Sequence, residues 1–133
     1  MEIKKKKEKI IPVVPYRKFG FEESKYQRSN GDYWMAETLY EFCKKEKYQE
    51  FEIPLAGINL NGLFFNLDTM DIFVWQMKRV LDCDLKYPII LDDEGCICDG
   101  WHRVCKALLE GKKTIKAIRM LEMPKTDGNE SII

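Results

Sequence analysis

Apolar residues recur with the period of an α-helix in three segments of the chain. The clearest stripe, at positions i, i+3, i+4, i+7 and i+8, comprises Trp101, Val104, Cys105, Leu108 and Leu109. It predicts a helix that begins near Trp101 and ends before Gly111, because glycine often follows the last turn of a helix. The same period predicts helices over residues 33–47 and 69–83, and Asp32 is placed to cap the first of them.

Short segments with strand character lie between and beyond these helices. They are residues 51–55, 88–91, 96–98 and 114–120. The second and third are joined by a short turn that ends in Gly95, so we expect them to pair as a hairpin. The order strand, helix, hairpin, helix, strand predicts a small α+β domain. The turn-rich segment 56–68 is expected to form a loop that could line a pocket.

This pattern divides the chain into three parts. Residues 1–32 form an N-terminal arm or extension, residues 33–120 form a single domain, and residues 121–133 form a loose C-terminal tail. Residues 1–9 carry five lysines and two glutamates, and this run is either a solvated end or a basic arm that contacts nucleic acid. The aromatic residues between positions 16 and 34 either pack across the domain or form a surface for a partner.

Composition and charge narrow the classes of function. The 22 basic and 22 acidic residues cancel, which is weak support for a protein that relies on bulk charge to bind nucleic acid. The cysteine count is five, an odd number, and the chain shows no secretory signal, which favours reduced thiols and a cytoplasmic protein. No segment approaches the roughly 18 consecutive apolar residues that cross a bilayer, so no membrane association is expected.

Two groups of potential metal ligands are more simply explained by structure. Cys96, Cys98, His102 and Cys105 lack the paired spacing of a zinc site, and the thiols are expected to be buried, so no zinc is expected. The acidic run 92–94 could hold a magnesium ion carried by a nucleotide, or it could form a solvated hairpin turn. The chain contains neither a Gly-x-x-x-x-Gly-Lys-Ser/Thr loop nor a Gly-x-Gly-x-x-Gly fingerprint.

The strongest candidate site is the Asp-Gly-Trp-His-Arg turn that joins a predicted strand to the third helix. The first N–H groups of a helix have no internal partner and attract anions. Gly100 allows a bulky anion to approach, Arg103 can grip phosphate oxygens, and His102 can donate a hydrogen bond or move a proton near neutral pH. The alternatives are that Asp99 is only an N-cap, that His102 is structural, and that Trp101 belongs to the core or a pocket wall.

This motif, followed by an amphipathic helix, a glycine and a strand, resembles the signature of the ParB/sulfiredoxin-like superfamily, whose members carry Asp-Gly-x-His-Arg variants at this helix start. The likeness covers residues 51–120, about half of the chain. It implies an α+β domain of that fold with an N-terminal helical extension, and a nucleotide cofactor, ATP or CTP with Mg²⁺. The nucleotide-binding residues that it implies are Gly100, Trp101, His102, Arg103 and, less directly, Lys78 of the preceding helix.

The superfamily hosts several activities, and two departures narrow them. Trp101 stands where sulfiredoxins place a reactive cysteine, so sulfinic acid reduction is not expected. Partition proteins of the superfamily continue into a helix-turn-helix domain, whereas this chain ends 13 residues after Met120, so a complete partition protein is not expected.

The function expected from these observations is that of a cytoplasmic nucleoside-triphosphate-binding protein that could transfer or hydrolyse the γ-phosphate. His102 and Asp99 are the catalytic candidates, and Glu52, Asp68 and Asp71 are further candidate bases. One alternative is a DNA-binding or nuclease-like accessory protein of a phage or mobile element. A second is a non-enzymatic domain with a silent site that binds a partner such as a host protein. The sequence leaves the nucleobase, the acceptor and the oligomeric state open.

Overall fold

A computed structural model describes residues 10–20 and 23–130 of the chain. Its elements are β1 (Lys25–Gln27), β2 (Asp32–Met35), α1 (Ala36–Glu46), β3 (Phe51–Pro54), a 3-10 turn (Leu55–Gly57), α2 (Met70–Asp82), β4 (Ile89–Leu91), β5 (Ile97–Asp99), α3 (Trp101–Leu109), β6 (Thr114–Arg119) and β7 (Gly128–Asn129). They form a four-stranded sheet in the order β3-β6-β4-β5 and a three-stranded sheet in the order β1-β2-β7. The predicted α+β class is confirmed.

The centre of the larger sheet is the short strand β4, whose three residues are all buried. It pairs in parallel with β6 and antiparallel with β5, which confirms the predicted hairpin. On one face of the sheet, Ile89 packs in a cluster with Val104 and Ala107 of α3. On the other face, Ile90 packs with Leu39 of α1 and with Trp34 of β2. Helices therefore cover both faces, which is why β4 is apolar throughout rather than alternating.

The predicted start of the first helix was wrong. Residues 32–35 form β2, which pairs with β1 through the Asn30-Gly31 turn, so Asp32 belongs to a strand and the helix begins at Ala36. The backbone of Gly31 has φ of +95°, the left-handed conformation that such a tight turn requires. The other two helices match their predicted ranges to within one or two residues, and Gly111 with φ of +70° follows α3 as predicted.

Residues 121–130 are fixed to the domain rather than loose. β7 pairs with β2, the Trp34 indole N–H donates to the Pro124 carbonyl at 2.8 Å, and the Met35 amide donates to the Asp127 carboxylate at 2.7 Å. Since Trp34 is almost fully buried, its N–H needs an internal acceptor, and the tail supplies one. The polar composition of this segment gave no sign of the contact.

The N-terminal aromatic residues pack across the domain. Tyr16 and Phe19 lie against Trp75 of α2, with ring centroids 6.3 and 6.2 Å away, and Tyr26 stacks on Trp34. Phe21 and the lysine run 1–9 lie outside the described residues. The segment from residue 10 to residue 20 has no regular secondary structure.

Asp92 in the hairpin turn ties the two sheets together. Its carboxylate is 1% exposed and accepts hydrogen bonds from the Tyr26 hydroxyl at 2.7 Å and from Arg28 at 3.3 Å. The backbone amides of Glu94 and Cys96 donate to its other oxygen. Burial opposes ionisation of this carboxyl, but the hydrogen bonds outweigh it and hold its pKa below its usual value. The acidic run 92–94 is thus a structural turn.

Candidate functional site

The start of α3 is shaped by close packing against β4. Gly100 caps the helix with φ of +109°, and a Cβ at this position would lie 2.5 Å from Cγ2 of Ile89. Only glycine fits both the conformation and the space. The first helical hydrogen bond runs from the Val104 amide to the Gly100 carbonyl, and no described side chain caps the helix. Asp99 is therefore not an N-cap, and the amides of the first turn are open to an outside acceptor.

The guanidinium of Arg103 is engaged by internal acceptors, and the residue lines a small cavity of about 130 Å³ together with Gly100 and His102. Its guanidinium donates to the Pro88 carbonyl and to the Tyr40 hydroxyl, and it lies 3.3 Å from the Asp99 carboxylate. The side chain is 14% exposed. The guanidinium that was predicted to bind phosphate thus connects the start of α3 to the beginning of β4 and to α1. From the sequence pattern alone, a guanidinium in the first helical turn can point either into the protein or towards a ligand.

Asp99 takes part in the same internal network. It accepts from the Tyr40 hydroxyl at 3.0 Å as well as from Arg103. Burial, followed by the charge of Asp99, raises the pKa of Tyr40 to about 12, so the phenol stays protonated and keeps donating. Of the four carboxylates considered as bases, Asp99 is the one that lines the cavity described next, and its Oδ2 is already shared between two donors.

A cavity of about 350 Å³ lies in front of the α3 N-terminus. This volume is within the size range of small-molecule sites, roughly 300–1,000 Å³. Its walls are the residues at the start of α3, one face of α2, the loop around Phe64 and the N-terminal segment. Three cations line it, namely Arg17, Lys25 and Arg79, together with the carboxylates of Glu23 and Asp99.

Arg79 differs from the other cations of the cavity. Arg17 pairs with Glu23 at 3.2 Å and Lys25 with Glu130 at 2.9 Å, but no carboxylate of the described residues lies within salt-bridge distance of Arg79. Its hydrogen bond to Gln76 Oε1 is long, at 3.4 Å. Burial lowers the pKa of Arg79, although a guanidinium remains charged at neutral pH. The site therefore holds a partly desolvated cation that lies over the Phe19 ring and feels the charge of Asp99, but that has no salt-bridge partner among the described residues.

Arg79, one position after the predicted Lys78, is the cation of α2 that lines the cavity. The helical spacing predicts an inner face of Met70, Phe73, Met77, Val80 and Leu81, of which Val80 is buried, and the other buried residue of the helix is Gln76. One residue turns a helix by about 100°, so Arg79 comes to line the cavity. The predicted Lys78 is directed elsewhere and forms an exposed ion pair with Asp82 at 2.9 Å.

Gln76 fixes the tautomer of His102. The Gln76 amide nitrogen donates to the Asn66 carbonyl at 3.2 Å, which leaves its Oε1 facing His102 Nε2 at 2.7 Å. His102 Nε2 must therefore carry the hydrogen, and Nδ1 is the nitrogen that can accept a proton. Burial, followed by the charges of Arg79 and Arg103, lowers the pKa of His102 to about 4. The imidazole is neutral at pH 7, with its N–H already used, rather than poised to titrate there.

Two aromatic stacks form the wall of the cavity nearest the loop. The Phe64 and Trp101 rings are nearly parallel, 3° apart in orientation, with their centroids 3.7 Å apart. Phe65 stacks on the His102 ring with centroids 4.4 Å apart. A second cavity of about 660 Å³, largely apolar, lies beyond Phe64 and Trp101, which line both spaces. Trp101 thus forms part of a pocket wall, which was one of the alternatives given for it above.

No group of described His, Cys, Asp or Glu side chains is placed to hold a metal ion. The five cysteines are all unpaired thiols. Within the described ranges, no helix has the length and apolar character needed to span a bilayer.

Sequence reasoning placed a site at the start of α3, where the cavity lies, and named Lys78 of α2, but it did not name Gln76 or Arg79. The available signal was Gln76, a polar residue three positions after Phe73 and four before Val80, in the middle of an apolar face. Such a residue is buried only when its hydrogen bonds are satisfied, and it indicates a polar site on that face.

Comparison of the chain with models of known protein families, with curated proteins and with solved structures finds no match. The likeness of the Asp-Gly-Trp-His-Arg turn to the ParB/sulfiredoxin-like signature therefore stays a prediction from the motif.

Proposed function

We propose that this protein binds a nucleoside triphosphate in the 350 Å³ cavity, with the phosphates against the start of α3. The observation that carries the proposal is Arg79, a half-buried guanidinium without a salt-bridge partner among the described residues, which lines the same cavity as the start of α3. Charge-assisted hydrogen bonds to phosphate would satisfy both groups at once. The resemblance of the motif to a nucleotide-binding superfamily supports ATP or CTP with Mg²⁺ as the ligand.

Each wall of the cavity has a part in this proposal. The amides of Trp101 and His102 donate to phosphate oxygens, and Arg79 supplies a planar fork from α2. Arg17 and Lys25 add positive charge near the mouth, where each is already paired and partly exposed. Magnesium would enter with the nucleotide, coordinated chiefly by phosphate oxygens and water, as is usual for this ion.

Binding is proposed ahead of catalysis because the predicted catalytic groups are engaged. Transfer or hydrolysis of the γ-phosphate requires an oriented nucleophile and a group that can accept its proton. Asp99 is shared between Tyr40 and Arg103, and His102, with a pKa of about 4, is a weak base at pH 7. Release of inorganic phosphate from ATP or CTP, measured with the wild type and with His102→Gln, tests for chemistry beyond binding.

Isothermal titration with ATP, CTP and GTP, each with Mg²⁺, tests the proposal. We expect at least one of them to bind, and we expect Arg79→Gln to weaken that binding by about 10- to 100-fold, the worth of a hydrogen-bonded pair of charges. Lys78→Gln, one position away on the same helix but outside the cavity, is the matched control and should bind like the wild type. The proposal is wrong if no nucleotide binds, or if Arg79→Gln and the wild type bind alike.

A further inference from the structure

The stack of Phe64 on Trp101 has a geometry that two simple aromatic rings do not prefer. With the planes 3° apart and the centroids separated by 3.7 Å, the rings overlap almost face to face. Aromatic side chains favour offset or edge-on contacts, with centroids about 4.5–7 Å apart, because their like-charged faces repel. A heterocycle with polarised bonds stacks on an indole without this disadvantage. The Phe64 ring therefore covers the Trp101 face in a geometry that is less favourable than an offset stack.

Phe64 also lies where it can move. Its side chain is 46% exposed, and it belongs to the loop between the 3-10 turn and α2, which has no regular secondary structure. The chain turns through local hydrogen bonds at Asn59 and Asn66, and Gln76 anchors the far end by donating to the Asn66 carbonyl. Gly62 faces the ring, where an added Cβ would come within 3.2 Å of it. The Phe64 ring is thus held mainly by Trp101 and its own loop.

The covered face of Trp101 adjoins the proposed phosphate site. Trp101 is the first residue of α3, so its backbone amide belongs to the first helical turn, and the residue lines both the 350 Å³ cavity and the apolar one. Trp101 therefore offers a backbone N–H that can donate a hydrogen bond to an anion and, next to it, an aromatic ring on which a flat group can stack. Displacing Phe64 would connect the polar space with the 660 Å³ apolar space. This arrangement fits a ligand with an anionic end and a flat aromatic end.

Given the proposed phosphate site, on which this step rests, we infer that the nucleobase of the bound nucleotide takes the place of Phe64 and stacks on Trp101. The base enters at the junction of the two cavities, and the Phe64 ring leaves the Trp101 face as the ligand arrives. The inference thereby adds a position for the base to the phosphate site of the proposed function.

The test compares the nucleotide with inorganic tripolyphosphate, both with Mg²⁺, by isothermal titration. In the wild type, the nucleotide should bind more tightly than tripolyphosphate. Phe64→Ala removes the competitor and should bind the nucleotide about 5-fold or more tightly, within the range of one stacking contact, with tripolyphosphate binding unchanged. Trp101→Leu should weaken nucleotide binding by about 5- to 100-fold without affecting tripolyphosphate. Leu63→Ala, an exposed neighbour outside both cavities, should match the wild type.

The outcomes separate this inference from the proposed function. Equal affinity for nucleotide and tripolyphosphate, or weaker nucleotide binding by Phe64→Ala, overturns the stacking inference and leaves the phosphate site in place. Absence of binding by both ligands to the wild type overturns the proposed function itself. Trp101 contributes to the core, and its replacement could unfold the chain. If Trp101→Leu is unfolded, the Phe64→Ala result alone decides whether the stacking inference holds.

Discussion

Mild acid should destabilise this fold through one imidazole. His102 stacks on Phe65 and donates through Nε2 to Gln76, and its burial, with the charges of Arg79 and Arg103, lowers its pKa to about 4. In an unfolded chain the pKa of histidine is about 6.5. Between these two values the unfolded chain binds a proton that the folded chain does not, so the free energy of unfolding falls as the pH falls.

The size of the effect follows from the two pKa values. A difference from 6.5 to about 4 corresponds to about 3 kcal/mol of stability, fully present above pH 6.5 and lost progressively as the pH falls towards 4. Asp92, whose pKa lies below the usual value of an aspartate, contributes its own loss only at lower pH. The window from pH 6.5 to 4 therefore isolates the histidine.

Urea denaturation followed by circular dichroism at intervals from pH 7 to pH 4 measures this loss. The matched variant is His102→Gln, which retains an N–H donor for Gln76 but cannot titrate. We expect the wild type to lose about 3 kcal/mol across the window and the variant to show a nearly flat profile there. Parallel profiles for the two proteins would refute the description of a buried, neutral imidazole and, with it, the orientation of the Gln76 amide.

Two further predictions concern the framework of the site. Gly100→Ala should lower the free energy of unfolding by about 2–5 kcal/mol, because of the left-handed backbone and the overlap with Ile89. The control is Gly111→Ala, where φ is +70° but the space is open, and it should lower the free energy of unfolding by only about 1 kcal/mol. Equal losses for the two variants would contradict the packing argument. Asp92→Asn should lower the free energy of unfolding by about 2–4 kcal/mol, because it breaks a buried network. Asp93 is more exposed, so Asp93→Asn should lower it by less than about 1 kcal/mol. Urea denaturation measures all four variants, and a small loss for Asp92→Asn would refute the role of Asp92 in joining the sheets.

Features with a local cause could be predicted from the sequence. The α3 stripe repeats for more than two turns and ends at a glycine, and the hairpin is set by a short turn, so both match the structure. The segment 32–35 was harder, because its four residues fit the start of a helix as well as a strand. What decided its conformation was pairing with β1 and with β7, and β7 lies almost one hundred positions away in a segment of polar composition.

In the candidate site, too, the features with a local cause could be predicted from the sequence and those that depend on distant residues could not. Its location follows from the strand–glycine–helix pattern around Gly100, which is local, and the structure does place a cavity there. The direction of the Arg103 side chain depends on Tyr40, 63 positions earlier in the chain, and no periodicity carries that information. The spacing of apolar residues in α2 did not include Gln76 in the buried face, and so it did not indicate that Arg79 lines the cavity.

The two arginines near the start of α3 argue for an outside anion by their contrast. Arg103 has what a structural arginine needs: a carbonyl, a hydroxyl and a carboxylate as acceptors. Arg79 is partly desolvated, and its interactions are one long hydrogen bond to a neutral amide, a contact with the Phe19 ring and the charge of Asp99 beyond salt-bridge distance. Burying a cation without a salt-bridge partner costs free energy, and the charge of Arg79 also depresses the pKa of the adjacent His102. An anion bound in the cavity would remove both penalties, because it would neutralise the guanidinium and offset the field that the imidazole experiences.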